Sequence, residues 1–229
     1  MSKSCPGGRR AGLILVSALK QSTANTLIID YDAGNLRSVQ RACAEVGLDA
    51  VISADPERVR QAERVIFPGV GAAGSAMRSI TREGMDTALR DVIAAGVPVL
   101  GICLGLQISF DHSEEDDQKT LGLLPGRVRR FRFDRPELKI PHMGWNEVRV
   151  VKPHPVLAGI EPGDEFYFVH GYYPEPADPD LVYARTEYET EFACAVGRNN
   201  YFATQFHPEK SGRVGLRLLA AFAEWDGTC

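Results

Sequence analysis

Short apolar runs alternate with amphipathic segments in the first half of the chain. The run Leu27–Ile29 predicts a buried strand, and Asn35 stands at the N-cap position of the helix predicted to follow it. That helix is indicated by apolar residues three and four positions apart, at Leu36, Val39, Cys43 and Val46. Further strands are predicted at 50–52, 64–67 and 97–102, with helical sequence between the last two. Strands that alternate with helices predict a parallel, doubly wound sheet.

The second half of the chain has a different pattern. Its strand-like segments, many of them alternating apolar and polar residues, are predicted at 123–128, 146–150, 165–169, 181–184, 192–196 and 201–206. A closing helix is indicated by apolar residues that share one face, Val214, Leu218, Ala221, Phe222 and Trp225. The predicted fold class is therefore α/β, with an open, mostly parallel central sheet flanked by helices and additional antiparallel strands in the C-terminal half.

The first 25 residues do not fit this pattern. A basic pair, Arg9-Arg10, precedes a short apolar stretch at 11–16, which is the order found in a signal peptide. The polar run at 20–23 interrupts it, and no convincing cleavage site follows. We interpret residues 1–25 as a flexible N-terminal extension, with an export signal as the alternative, and residues 26–229 as one domain.

Composition narrows the class of protein. Hydrophobic residues make up 44% of the 229 and charged residues 24%, which is typical of a soluble globular protein. The net charge of −4 gives no electrostatic reason to expect binding to nucleic acid or to an anionic membrane. No apolar run approaches the roughly 20 residues that cross a bilayer. Five widely spaced cysteines without C-x-x-C pairs favour a reducing, cytoplasmic location and argue against a zinc site; no metal or cofactor is expected.

Cys103 stands where a predicted strand meets a predicted helix. Gly101 and Gly105 flank it in the pattern G-x-C-x-G, a nucleophile elbow with cysteine in the place of serine. Small neighbours let the strand and the helix approach closely, and the N-terminus of a helix favours thiolate over thiol. The alternative is a buried structural thiol, as most cysteines in an intracellular core are.

A base for this nucleophile follows the last predicted strand. His207 and Glu209 are two residues apart, and in extended backbone such residues point the same way. A carboxylate beside an imidazole fixes its tautomer and stabilises the imidazolium, so Cys103, His207 and Glu209 form a candidate triad. The alternative is that His207 and Glu209 make only a surface ion pair.

Acyl transfer also needs donors for an oxyanion. The elbow supplies the N–H of Leu104, and the turn formed by Gly69, Val70 and Gly71 after a predicted strand is a second candidate, although ordinary turns use the same residues. The other histidines carry less information. His112 is predicted in a solvated loop and His154 in a turn, and His142 and His170 are interpreted as packing histidines.

Taken together, the motifs resemble those of class I (triad-type) glutamine amidotransferases. Within that class the chain is similar to the glutaminase subunits of imidazole glycerol phosphate synthases. The resemblance covers about residues 26 to 225. It rests on the motifs P-G-V-G at 68–71, G-I-C-L-G-L-Q at 101–107, I-P-H-M-G-W-N at 140–146, Y-F-V-H at 167–170 and Q-F-H-P-E-K-S at 205–211.

The resemblance implies a reaction. Cys103 would attack the side-chain amide of glutamine to give a thioester and ammonia, His207 would shuttle the proton and then activate water, and Glu209 would orient His207. The turn at 69–71 would reorganise to complete the oxyanion hole, which implies a gated site. The residues that match positions holding the amino-acid end of glutamine are Gln107, Glu115, Gly171 and Tyr172.

The same resemblance implies a partner. It is a cyclase subunit with a (β/α)8 barrel, which would receive the ammonia through a channel within a heterodimer of the two chains. The residues that match partner-facing positions are Asn35, Trp145 and Lys210. The alternatives are a core aromatic for Trp145 and a solvated charge for Lys210.

Two residues depart from the family pattern. Gly171 replaces the usual Ser or Thr, and Ala73 stands where an aromatic residue often follows P-G-V-G-A. Three other functions share parts of the pattern: a glutaminase subunit for another acceptor, a stand-alone γ-glutamyl or peptide hydrolase, and a regulatory glutamine-binding module without catalysis. The P-H-M-G-W-N motif argues against the first, the partner-facing motifs against the second, and the intact triad against the third.

Overall fold

The computed structural model describes residues 22–32, 34–133 and 139–228. Of the predicted N-terminal extension, residues 1–21 therefore lie outside the described residues, as do Cys5 and Cys229. The first strand begins at Ser22, four residues before the predicted start of the domain. Residues 22–25 thus lie within this strand, and the division of the chain into an extension and a domain stays a prediction.

The described residues form fourteen strands and six α-helices, numbered here in chain order. The strands are β1 (Ser22–Ile29), β2 (Leu48–Ser53), β3 (Arg64–Gly69), β4 (Val99–Cys103), β5 (His112–Ser113), β6 (Gln118–Lys119), β7 (Gly126–Arg130), β8 (His142–Glu147), β9 (Arg149–Val150), β10 (Glu165–His170), β11 (Tyr172–Pro176), β12 (Val182–Tyr188), β13 (Thr190–Arg198) and β14 (Tyr201–Thr204). The helices are α1 (Leu36–Glu45), α2 (Pro56–Arg60), α3 (Ala73–Glu83), α4 (Met85–Ala94), α5 (Leu104–Gln107) and α6 (Gly212–Glu224).

The central sheet confirms the predicted fold class. Its order is β2-β1-β3-β4-β14-β13-β12-β9. The first five strands pair in parallel and the remaining three join them antiparallel, so the C-terminal half extends a parallel sheet with an antiparallel edge. Two smaller sheets, β10-β8 and β11-β7-β5-β6, lie beside it. The neighbouring parallel strands β3, β4 and β14 all end at the edge that carries Cys103.

Alternation along the central strands separates two cores. Ile28, Ile66 and Leu100 belong to the cluster that also contains the apolar faces of α1 and α6. The residues immediately before each of them belong to the other cluster, with α3 and α4. Successive side chains of a strand point to opposite faces, so apolar runs in these strands bury both faces of the sheet between helices.

Local structure departs from the sequence prediction at several places, of which three have a clear physical reason or bear on the site. The helical sequence before β4 is two helices, because Gly84 adopts a left-handed conformation (φ 71°) and ends α3. Strand β11 was not predicted, since it contains two prolines, which edge strands tolerate. Asn35 stands at the N-cap position of α1 but has φ 70°, and its side chain makes no capping hydrogen bond. No helix among the described residues is long and apolar enough to span a membrane.

Candidate active site

Cys103 is the last residue of β4, and helix α5 begins at the next residue. Its backbone has φ 52° and ψ −103°, a conformation that non-glycine residues seldom adopt and that sharp functional turns maintain by surrounding packing. A Cβ on Gly105 would lie 2.0 Å from the Phe67 carbonyl oxygen, and one on Gly101 would lie 2.6 Å from Tyr201 Oη. The flanking glycines therefore permit the close approach that the elbow needs.

Sheet topology brings the candidate base to this elbow. Strand β14 pairs in parallel with β4, with Thr204 opposite Ile102, so the residues after both strands meet at one edge. Cys103 and His207 line a cleft of about 360 Å³ there. A larger cleft of about 590 Å³ between Asp111 and Glu175 is lined by neither of them.

His207 and Glu209 form a buried pair. The imidazole Nδ1 lies 2.8 Å from Glu209 Oε1, and the two side chains are only 2% and 1% exposed, which excludes a surface ion pair. Because a carboxylate accepts, Nδ1 donates, and Nε2 is left as the second ring nitrogen, buried and without a hydrogen-bond partner among the described residues. The backbone differs from the prediction. Residues Pro208–Lys210 form a 3₁₀ turn and not an extended segment, so the turn brings Glu209 back against the ring.

The environment of His207 favours its charged form. Burial acts to lower its pKa, but the charge of Cys103 and hydrogen bonding with it raise the pKa, as does Glu209, and the result is a pKa of about 10. The site therefore brings a thiol and an imidazole into one cleft, with a buried carboxylate against the imidazole.

Asn35 also contacts this group, although the sequence resemblance implies a partner-facing position for it. Its Nδ2 donates to Glu209 Oε1 at 2.6 Å, so one carboxylate oxygen accepts from both Asn35 and His207. The other oxygen, Glu209 Oε2, is buried and has no partner among the described residues. The two residues are 174 positions apart, and only the unusual left-handed conformation of Asn35 sets it apart locally.

Two glutamines connect the nucleophile to the wall of the cleft. Gln107 Nε2 donates to the Tyr172 carbonyl at 2.9 Å and to Gln205 Oε1 at 3.1 Å. Gln205 Nε2 in turn donates to Cys103 Sγ at 3.7 Å. Gln205 was not predicted as a site residue, although its place two residues before His207 was a usable signal.

The residues expected to hold the amino-acid end of a substrate line the same cleft. They are Gln107, Glu115, Gly171 and Tyr172. Glu115 Oε2 accepts from the Ala73 N–H at 2.7 Å; burial raises the pKa of this carboxyl, and the Ala73 hydrogen bond opposes that shift. A Cβ on Gly171 would make only an ordinary contact with Ile140 at 3.5 Å, so close packing does not require glycine at this position.

Most of the candidate oxyanion turn also lines the cleft. Val70, Gly71 and Leu104 line the cleft, and Gly71 has φ +101°, a conformation that favours glycine. Gly69 is absent from the lining of the cleft. It pairs with Cys103 across β3 and β4, and a Cβ there would lie 2.0 Å from Tyr31 Oη. Gly69 thus allows close packing behind the turn.

An exposed apolar face lies beside the cleft. Met143 is 63% exposed and Trp145 53%, which excludes a core position for Trp145. They stand on one side of β8, opposite Val169 and Tyr167 of β10, and the rings of Trp145 and Tyr167 are 6.1 Å apart. We refer to Met143, Trp145, Tyr167 and Val169 as the docking face. Lys210 connects it to the cleft, with Nζ 5.8 Å from the Tyr167 ring centroid.

Comparisons with known proteins agree on one family. The profile of the family described as glutamine amidotransferase class-I matches residues 27–224. The chain is 51% identical over 203 residues to imidazole glycerol phosphate synthase subunit HisH of Desulfovibrio desulfuricans, covering 86% of this chain and 93% of the relative. It is 48% identical over 207 residues to the same subunit of Chromobacterium violaceum, covering 87% and 97%. A structure of PurLQS from Thermotoga maritima has a similar fold, with a TM-score of 0.69 at 19% identity over 87% of this chain and 97% of that chain.

Proposed function

Because the chain belongs to the class I glutamine amidotransferase family, we propose that it is the glutaminase subunit of an imidazole glycerol phosphate synthase in histidine biosynthesis. The observation that carries this is the buried Cys103–His207–Glu209 group in a chain about half identical to such subunits. The reaction is hydrolysis of glutamine to glutamate and ammonia, with the ammonia passed to a cyclase subunit. A cytoplasmic location belongs to the same proposal.

The chemistry follows from the charges in the site. The Cys103 thiolate attacks the carbon of the glutamine side-chain amide, and the C–N bond breaks as His207 Nε2 gives its proton to the departing ammonia. The neutral His207 then takes a proton from water, which attacks the thioester and releases glutamate and the thiolate. Glu209, 2.8 Å from Nδ1, orients the ring and stabilises each imidazolium.

The cleft provides groups for the two ends of glutamine. Glu115 supplies a carboxylate for the ammonium, and Gln107 and the backbone of Gly171 and Tyr172 supply polar contacts for the amino-acid end. The backbone N–H groups of Leu104 and of the turn Gly69–Gly71 stabilise the oxyanion once that turn has reorganised. The glycine at position 71, with φ +101°, supports such a change, since glycine populates both signs of φ readily.

The docking face supports a partner chain. Large apolar side chains exposed side by side mark protein interaction sites, and Trp145 is among the residue types enriched at binding hot spots. Lys210 lies between this face and the cleft, so a partner bound there would contact the entrance to the active site. The partner is the (β/α)8-barrel cyclase subunit, and Asn35 belongs to the region that faces it. Its acceptor would be a phosphorylated ribulosyl aminoimidazole carboxamide nucleotide, converted to imidazole glycerol phosphate and the aminoimidazole carboxamide ribonucleotide.

The test is the release of ammonia from glutamine by the full chain, with and without a cyclase barrel that carries its nucleotide. We expect weak hydrolysis by the chain alone and much faster hydrolysis in the loaded complex. Equal rates in both conditions would refute the gated partner, and no hydrolysis in either would refute the glutaminase assignment. Trp145→Ala is the interface variant, and Val51→Ala, at an exposed residue of β2, is its matched control.

A further inference from the structure

A pair of buried histidines lies directly behind the docking face. His142 and His170 stand opposite each other in the β8–β10 pair, on the side turned away from Met143 and Trp145. Both are buried, at 3% and 5% exposure, and His170 also lines the cleft that contains Cys103. Two strands with one exposed apolar side thus carry two facing imidazoles on the other side.

The hydrogen bonds of this pair run in one direction only. His170 Nδ1 lies 2.7 Å from the Tyr172 carbonyl oxygen, and since a carbonyl only accepts, Nδ1 carries the proton. His170 Nε2 therefore accepts from His142 Nδ1, 3.1 Å away. His142 Nε2 in turn accepts from Asn146 Nδ2 at 3.4 Å, and that amide also donates to the Glu187 carbonyl at 2.8 Å.

The surroundings of the two rings favour their neutral forms. Burial lowers the pKa of His142 to about 4 and that of His170 to about 3, and the charge of His207 also lowers the latter. A second proton on either ring would place two N–H donors against each other. Neutral rings keep both protons on Nδ1, which fixes the order of donors from Asn146 to Tyr172.

The chain of donors ends on an atom that the glutamine cleft also uses. The Tyr172 carbonyl accepts from His170 on one side and from Gln107 Nε2 on the other, at 2.9 Å. This contact fixes which end of the Gln107 amide faces Tyr172, so its second N–H reaches Gln205. The Tyr172 carbonyl is thus the meeting point of the histidine pair and the residues beside Cys103.

We propose that His142 and His170 are positioning residues, which hold the Tyr172 carbonyl and the Gln107 amide in the arrangement that glutamine requires. Because His142 belongs to β8, they also couple that arrangement to the strand that carries Met143 and Trp145 of the docking face. The inference rests on the proposed function, because it assigns glutamine to the cleft. It predicts an effect on KM more than on kcat, since neither ring touches the reacting atoms. A purely structural pair would change stability and leave KM unchanged.

The variant series uses the geometry of the rings. His142→Phe keeps an aromatic ring between Phe168 and Tyr188, whose centroids are 5.0 and 4.1 Å away, but removes the donor to His170. His142→Asn retains an N–H donor near the position of Nδ1. In the complex with the cyclase barrel we expect His142→Phe to raise KM for glutamine roughly fivefold, the factor expected for the loss of one hydrogen bond. The kcat should stay within about twofold of the wild-type value. His142→Asn should recover much of the loss.

His154→Phe is the matched control, because His154 is also buried and stacks on Phe202 at 4.2 Å outside the cleft. It should reduce stability without raising KM. An unchanged KM in a folded His142→Phe variant would overturn the proposal. If the wild-type complex hydrolyses no glutamine, the proposed function itself fails, which the same assay reveals separately.

A spectroscopic measurement keeps the inference testable if His142→Phe does not fold. Nitrogen-15 NMR of the full chain should show the proton on Nδ1 of both His142 and His170, whereas free histidine favours Nε2. Adding glutamine to the Cys103→Ala variant should shift the ring nitrogens of His170 and leave those of His154 in place. A proton on Nε2 of either ring, or no shift of His170 with bound glutamine, would overturn the proposal.

Discussion

The triad and the histidine pair use the same residue type under opposite electrostatic conditions. His207 is buried beside Glu209 and Cys103, and their charges raise its pKa to about 10 despite burial. His142 has no carboxylate partner among the described residues, and burial lowers its pKa to about 4. Burial therefore does not determine the charge of a histidine by itself. A nearby anion decides whether the ring is an acid or a fixed hydrogen-bond connector.

The two regions also influence each other. The charge of His207 is one of the causes that lower the pKa of His170. The Tyr172 carbonyl and two glutamine side chains also connect His170 to Cys103 by hydrogen bonds. A charged triad thus helps to keep the pair neutral. Four changes, taken in order of expected size, separate the two regions.

Cys103→Ala should have the largest effect. Without the sulfur no thioester forms, and we expect glutamine-dependent activity to fall by more than about 10⁴-fold, as on removal of other catalytic nucleophiles. The complex should still use free ammonium, because the cyclase chemistry is intact. Cys194→Ala is the control, since Cys194 is buried in the core between the sheet and α6. Loss of ammonium-dependent activity as well would assign Cys103 a structural role.

Glu209→Gln should have the next largest effect. It keeps the size of the side chain but removes the charge, so we expect kcat to fall about a hundredfold or more. The Glu209 charge raises the pKa of His207, and the imidazolium exists below that pKa. The alkaline limb of the kcat/KM profile should therefore move to lower pH in the variant. An unchanged limb would contradict the role of Glu209, and Glu175→Gln, at an exposed carboxylate paired with Arg129, should leave the profile in place.

His142→Phe should change the acid sensitivity of folding. The pKa of His142 is about 4 in the folded chain against 6.5 in the unfolded chain, so its contribution to stability is complete above pH 6.5 and is lost as the pH falls toward 4. Between pH 7.5 and 5 this amounts to about 2 kcal/mol. Urea unfolding at both values should show that the variant loses less stability than the wild type by this amount. An equal loss would mean that the ring is not kept neutral by folding, and replacement of the surface residue His112 is the control.

Sequence patterns predicted the structure correctly where the residues that define a feature are close together in the chain. The apolar runs of β1, β3 and β4 are buried on both faces, so they could be recognised without knowledge of their neighbours. The elbow at Cys103 was equally visible, because the strand, the two glycines and the helix are contiguous. The contact between His207 and Glu209 could be predicted because they are two residues apart, although the backbone between them is a 3₁₀ turn and not extended.

Sequence patterns failed where function depends on contacts between distant strands. His142 and His170 pair only because β8 and β10 meet in one antiparallel register, and a shift of one residue would place the rings on opposite faces. The bond between Asn35 and Glu209 joins residues from opposite ends of the domain. No periodicity encodes either contact. Both depend on how separate elements pack.

Asn35→Gly should have the smallest effect and tests how much of the triad depends on a neighbour. Asn35 donates to Glu209 Oε1 at 2.6 Å from a left-handed backbone, φ 70°, that glycine adopts without strain. The substitution therefore removes the amide while preserving the turn. Loss of one hydrogen bond to a charged group predicts a decrease in kcat of about tenfold, with KM for glutamine nearly unchanged.

Asn199→Gly, at a left-handed residue (φ 52°) between β13 and β14, is the matched control and should leave both constants unchanged. A rise in KM instead of a fall in kcat would place Asn35 with the histidine pair, to which we assign an effect on KM. Measurement in the complex and in the isolated chain then separates the two possible roles of Asn35. A decrease in kcat in both states indicates that it orients Glu209, and a decrease confined to the complex indicates that it acts through the partner.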